Sequence, residues 1–367
     1  MTADDLATRA PESDAAEDAS PAPAAAAAAS SAAEPAATGT ATPKLCDDCV
    51  TDRPLPSGPN GSRTPAGEIR KLDDVNTYVA KPSGYPHAPA RLLLLLTGGT
   101  GMQSTNNQIQ ADMYADEGFV VVMPDLFGGD VAPNTAAAEE EAVATNDTGS
   151  FLDLFKTKAV ETVKSFMIDM WLARHTEAKV LPLLHRVISA ARDEFADAVA
   201  RGDGIFAVGY CFGGRYVLLL AGEKASQYDA EGPVNAAAAA GATASGSEAN
   251  NANSDAAASA LEAGLLSKPA PLIKAGVLAH ATLVSPDDFQ GLQAPISMVC
   301  VESDPLFPDE VRTAGEDYLS QNNVEHEVQV YPGVPHGFAV VGDYADASIK
   351  DAQATAFEQM LKWLNAH

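Results

Sequence analysis

The feature that most constrains this chain is a repeated alternation of short apolar runs with longer amphipathic segments. Leu92–Thr97 is a continuous apolar run that ends in Gly98-Gly99. Phe119–Met123, stopped by Pro124-Asp125, is the second, and Gly204–Tyr210 is the third. Ala275–Ala279, Ile296–Val301 and Glu327–Tyr331 supply three more. Strands buried on both faces look like this, because neither face can carry polar residues. Helical spacing fills the intervals at 104–117 (with Ser104 or Thr105 as N-cap), 151–175, 178–200, from Cys211 to about 223, 309–321 and 349–366. Pro182, near the start of its helix, is tolerable there. Strands alternating with helices predict an α/β fold, a mostly parallel central sheet with helices on both faces. In such sheets chemistry gathers at the carboxyl ends of the strands.

Composition sets the outer limits. The 367 residues hold 50 acids against 23 Lys and Arg, a net charge of −27. That balance excludes a basic face for nucleic acid and disfavours anionic membranes. Residues 1–43 are Ala, Pro, Ser, Thr and acid, with one leucine and no aromatic residue. Such a stretch cannot offset its ordering entropy by burial, so a disordered tail is expected. A second stretch of this composition, 225–270, reads as a surface insertion. Residues 44–65 read as a lead-in and 66–367 as one domain. No apolar run long enough to span a membrane and no basic leader is evident, so a soluble, cytoplasmic protein with reduced thiols is expected.

The chemistry begins at Gly209-Tyr210-Cys211-Phe212-Gly213-Gly214, between an apolar strand and an apolar helix. This is G-x-C-x-G, a nucleophile elbow with sulfur in place of hydroxyl. A tight, strained turn needs neighbours without side chains two residues away, which glycine supplies. The turn sets Cys211 at a helix N-terminus, where the dipole favours a thiolate. The amide of Phe212 then points to where an oxyanion would form. The alternative is a buried structural cysteine in a glycine-rich turn.

A thiol needs a base. Of seven histidines, His336 lies in Pro335-His336-Gly337-Phe338, just past the strand ending at Tyr331. Asp304, in Glu302-Ser303-Asp304-Pro305, follows Ile296–Val301 and is placed to orient the imidazole. The bland readings are a solvent-exposed loop histidine and a helix N-cap. The chain order of nucleophile, acid and histidine is that of α/β-hydrolases.

GYCFGG, ESDPLFP and PHGF in this order, with ADEGF leading into PDLF at 115–127, resemble the dienelactone hydrolase family. The likeness spans about residues 66–366, interrupted at 225–270. It implies an α/β-hydrolase fold and hydrolysis of a small ester or lactone by a carboxymethylenebutenolidase-like enzyme, with no cofactor and no metal. By motif, Cys211 would be the nucleophile, Asp304 the acid and His336 the base. Phe212 and Gly99 would supply the oxyanion amides, and Gly98, Tyr210, Arg215 and Phe338 are substrate-binding candidates. Family enzymes carry a glutamate on the first loop, where this chain has Thr97–Gly101 with no acid. They also use two arginines for a substrate carboxylate, at positions held here by Gly128-Gly129 and Val340. The expected partner is a small molecule, and the expected state a monomer or weak homodimer.

Three rival readings stand beside this one. Thr97-Gly98-Gly99-Thr100-Gly101 is similar to the opening of an NAD(P)-binding short-chain dehydrogenase, but no tyrosine has a lysine four residues on. Cys46-x-x-Cys49 could be half a zinc site or a redox pair, but a structural zinc site needs four ligands and Cys211 and Cys300 fall in predicted core elements, so a flexible lead-in or a local disulfide under oxidation is expected. The third is a non-catalytic α/β-hydrolase scaffold kept for binding or regulation.

Overall fold

The computed structural model describes residues 50–56, 63–133, 166–229, 232 and 269–367. The tail 1–43, the Cys46/Cys49 pair, much of the 225–270 insertion and the first part of the 151–175 helix lie outside the described residues. At the start of the insertion, Lys224–Gln227 forms a short 3-10 turn with Ala225 buried.

Eight strands form one sheet: β1 Glu68–Leu72, β2 Val75–Ala80, β3 Arg91–Leu96, β4 Phe119–Pro124, β5 Ile205–Tyr210, β6 Ala275–Ala279, β7 Ile296–Val301 and β8 His326–Tyr331. Their order is β1-β2-β4-β3-β5-β6-β7-β8. The β1/β2 and β2/β4 pairs are antiparallel, and every pair from β4/β3 to β7/β8 is parallel. This is the mostly parallel α/β-hydrolase sheet that the sequence predicts.

The leucine run shows why the parallel strands are continuously apolar. Leu92, Leu94 and Leu96 enter one core cluster, whereas Leu93 and Leu95 enter the cluster on the opposite face. Side chains alternate across a strand, so a sheet covered on both sides must be apolar at every position. Full burial of each such leucine stabilises by about 1.5–3 kcal/mol.

The helices are α1 Thr105–Asp116, α2 Glu177–Glu194, α3 Ala196–Gly202, α4 Phe212–Ala221, α5 Asp309–Gln321 and α6 Ala347–Ala366, with a further helical stretch at 166–174. Ser104 caps α1, its side chain accepting from the Asn107 amide. Among the described residues no helix is long and apolar enough to cross a membrane.

Two elements differ from the sequence reading. The 178–200 helix is two helices, broken at Phe195, whose ψ of 40° leaves the helical region. The β1–β2 hairpin was not expected, because EIRKL alternates with polar residues and shows no apolar run. Its two-residue turn places Asp73 at φ 54°, which such a turn demands.

Candidate active site

Successive parallel strands deliver the site. Tyr210 pairs with Ala279 across β5/β6, and Val301 with Tyr331 across β7/β8, so these carboxyl ends lie side by side. Cys211 follows β5, Asp304 follows β7 and His336 follows β8.

Cys211 adopts φ 49° and ψ −115°, a conformation that L-residues rarely take. The surrounding contacts hold it there. The Cys211 amide donates to Ala279 O at 3.1 Å, and the Thr282 amide donates to Cys211 O at 3.1 Å. A Cβ on Gly209 would fall 2.4 Å from Gly213 O, and one on Gly213 would fall 2.2 Å from Leu96 O. Both elbow glycines are therefore needed for backbone to pass backbone. The thiol is buried at 3% exposure and lines a cavity of about 30 Å³.

The first-turn amides of α4 have no helical acceptor. Gly213 N donates to Thr97 O at 3.0 Å and Gly214 N to Cys211 O at 3.0 Å. Among the described residues the Phe212 amide has no such acceptor. Gly98 lies against the nucleophile: a Cβ there would be 3.1 Å from Cys211 Cβ and 3.7 Å from Sγ. Gly99 O accepts from the Ala132 amide at 2.9 Å, which fixes the plane of the peptide that follows it.

His336 and Asp304 form a buried pair, Nδ1 to Oδ2 at 2.7 Å, with the two side chains 5% and 1% exposed. The other carboxylate oxygen accepts from the Leu306 amide at 2.9 Å, so Asp304 cannot rotate away. Asp304 is not a helix cap, since α5 begins after Pro308. Burial opposes charge on His336, but the Asp304 hydrogen bond and the Cys211 sulfur outweigh it and raise the pKa to about 10. Nε2 makes no hydrogen bond of ordinary geometry. Catalytic contacts often tighten only when substrate is bound.

Of the substrate-binding candidates, Gly98 lines the cavity and three others do not. Tyr210 lies in the core on the opposite sheet face, its hydroxyl paired with that of Tyr114 at 2.8 Å. Phe338 is fully buried against Tyr331, with ring centroids 5.1 Å apart. Arg215 is held by Asp288 at 2.8 Å and by Glu177. It ties α4 to its neighbours and does not line the Cys211 cavity.

Two residues at the cavity escape the sequence reading. His280 follows β6 directly and is 1% exposed. The rule used for Asp304 and His336, a polar residue just past a strand end, would have found it. Arg53 comes from the segment 50–56, where no periodicity marks it. Its Nη1 donates to Gly337 O at 3.3 Å, and its guanidinium sits 4.0 Å over the Tyr344 ring. Asn106 on α1 donates both to Arg53 O and to Val341 O at 2.8 Å, joining this segment to the His336 loop.

The dienelactone hydrolase family profile matches residues 75–264 and 259–367. The chain belongs to the dienelactone hydrolase family. Hydrolase pyvD of Aspergillus violaceofuscus is 25% identical over 301 residues, covering 82% of this chain and 90% of its own. Hydrolase tropI of Talaromyces stipitatus is 25% identical over 309 residues, covering 83% and 92%. Among solved structures, an esterase of Thermogutta terrifontis aligns at a TM-score of 0.48 and 15% identity, covering 81% of this chain and 94% of that one. The match to the dienelactone hydrolase family begins at residue 75, so the Arg53 segment lies outside it.

Proposed function

We propose that this member of the dienelactone hydrolase family hydrolyses a small ester or lactone through a thioester on Cys211. The observation that carries the reading is the Asp304–His336 pair at 2.7 Å, with the sulfur of a strained elbow among the groups that raise the imidazole pKa. In the resting pair His336 holds the proton and Cys211 the negative charge. The thiolate attacks the carbonyl carbon, and the carbonyl oxygen becomes an oxyanion facing the Phe212 amide and the Gly98–Gly99 loop. As the C–O bond breaks, His336 gives its proton to the departing oxygen and the acyl group remains on sulfur. Neutral His336 then takes a proton from water. The hydroxide attacks the thioester, and the carboxylic acid leaves as the thiolate and imidazolium reform. Asp304 holds the ring orientation throughout.

Sulfur leaves a tetrahedral intermediate more readily than an amine does, so activated esters and enol-lactones are favoured over amides. The narrow cavity favours a small acyl group. The test is turnover of an aryl acetate by wild type and Cys211→Ala, with circular dichroism as a control for folding. The expected result is loss of turnover in the variant and an acetyl adduct on Cys211 in the rapidly quenched wild type. Unchanged turnover in the variant would reject the mechanism.

A further inference from the structure

His280 has no part in the steps above, yet the residue before it is bonded to the backbone of the nucleophile. The Cys211 amide donates to the carbonyl of Ala279, the preceding residue, at 3.1 Å, and the His280 amide donates to Val299 O at 2.7 Å. The side chain lines the same cavity as Cys211 and His336. Its ring stands edge-on to His336, with centroids 4.9 Å apart at 63°. Tyr210 and Phe338 complete the cage, at 5.9 and 6.2 Å. Neither ring nitrogen has a hydrogen-bond partner among the described residues. The backbone is strained as well, at φ 37°. As packing material an imidazole is a poor choice here, because a phenyl ring would fill the cage without losing two hydrogen bonds to water.

We propose that His280 is a specificity-determining residue that hydrogen-bonds a neutral hydroxyl on the carbon beside the scissile carbonyl, or on the next carbon. The inference deepens the ester or lactone reading and rests on it for the identity of that carbonyl. Burial and the positive charge of His336 keep His280 neutral, well below the ordinary histidine pKa. A neutral imidazole offers one N–H donor and one nitrogen acceptor. A hydroxyl, which both donates and accepts, answers that pair. An anion would find one donor and an opposing lone pair, and a cation would face the His336 charge. Closeness to Cys211 limits the hydroxyl to positions near the reacting carbon.

The test uses the phenyl esters of lactic and propionic acid, a pair that differs by one hydroxyl. Affinities are measured by calorimetry on Cys211→Ala, which leaves the esters intact, and on the same protein carrying His280→Phe, His280→Ala or His280→Gln. The lactate ester is expected to bind Cys211→Ala about tenfold or more tightly than the propionate ester. His280→Phe and His280→Ala are expected to abolish that preference by weakening the lactate ester, and His280→Gln to keep part of it. Melting temperatures identify any variant that fails to fold. Equal affinities in Cys211→Ala, or a preference that survives both His280→Phe and His280→Ala, would overturn the proposal. So would an equal weakening of both esters, the signature of a packing role. Hydrolysis is scored separately in proteins that retain Cys211. Failure of wild type to cleave either ester would sink the esterase reading, while the affinity comparison would still decide the role of His280.

Discussion

At the scale of single residues the site depends on a charge distribution that no member could hold by itself. Asp304 is pinned by the Leu306 amide and presents its other oxygen to His336. Asp304→Asn keeps the shape but removes the charge that supports the imidazolium. Turnover of an aryl ester is expected to fall on the order of 10³-fold, with little change in KM; a loss below about tenfold would argue against the pair. The same pair sets a pH dependence. The pKa of His336 is raised from the ordinary 6.5 to about 10, so the folded state binds the proton more tightly than the unfolded chain. Its contribution to stability is fully present below about pH 6.5 and is lost as pH rises through about 10. Urea melts should show the stability gap between wild type and His336→Gln narrowing over that interval. A gap independent of pH would mean that the imidazole is not held charged.

At the scale of elements, the β5–elbow–α4 unit is held by sterics on one side and by ion pairs on the other. Gly213→Ala would drive a Cβ to 2.2 Å from Leu96 O, a backbone atom that cannot swing aside. The expected cost is about 3 kcal/mol or more, read from the denaturation midpoint, with loss of turnover even where the protein folds. Arg215 on α4 and Lys224 in the 3-10 turn after it converge on the fully buried carboxylate of Asp288 and, against the effect of burial, hold its pKa down to about 2. Arg215→Ala should therefore cost about 2–4 kcal/mol of stability. Its kcat/KM for a small ester should change less than about threefold, since the side chain does not line the cavity. A large rise in KM with unchanged stability would restore the substrate role expected from sequence.

At the scale of the whole molecule, segments far apart in the chain close over one sulfur. The segment 50–56 lines the cavity through Thr51, Asp52 and Arg53, fastened by Ser104 Oγ to Asp52, by Arg53 to Gly337 O and by the Asp343 amide to Pro54 O at 2.7 Å. The cavity of about 30 Å³ is lined by these three residues together with His336 and Gly337. Arg53→Ala is expected to speed alkylation of Cys211 by a bulky maleimide more than by iodoacetamide, at a stability cost of about 1 kcal/mol. Equal acceleration of both reagents would show that the segment does not guard the cavity.

The alternation of apolar runs with amphipathic segments determined the sheet, its parallel sense and the faces that are covered. It did so because burial on both sides leaves no place for polar residues. The elbow was equally legible, since a tight strand-to-helix turn restricts which residues can flank Cys211. Strand-end position also identified Asp304 and His336. The β1–β2 hairpin was not legible, because an edge strand half open to solvent carries no apolar signature. Tertiary structure decided that Arg215 is an ion-pair residue, that Tyr210 and Phe338 face away from the cavity, and that Arg53 and His280 face it. Side-chain partnerships between distant segments arise from packing geometry, which leaves no local periodicity for a sequence reading to detect.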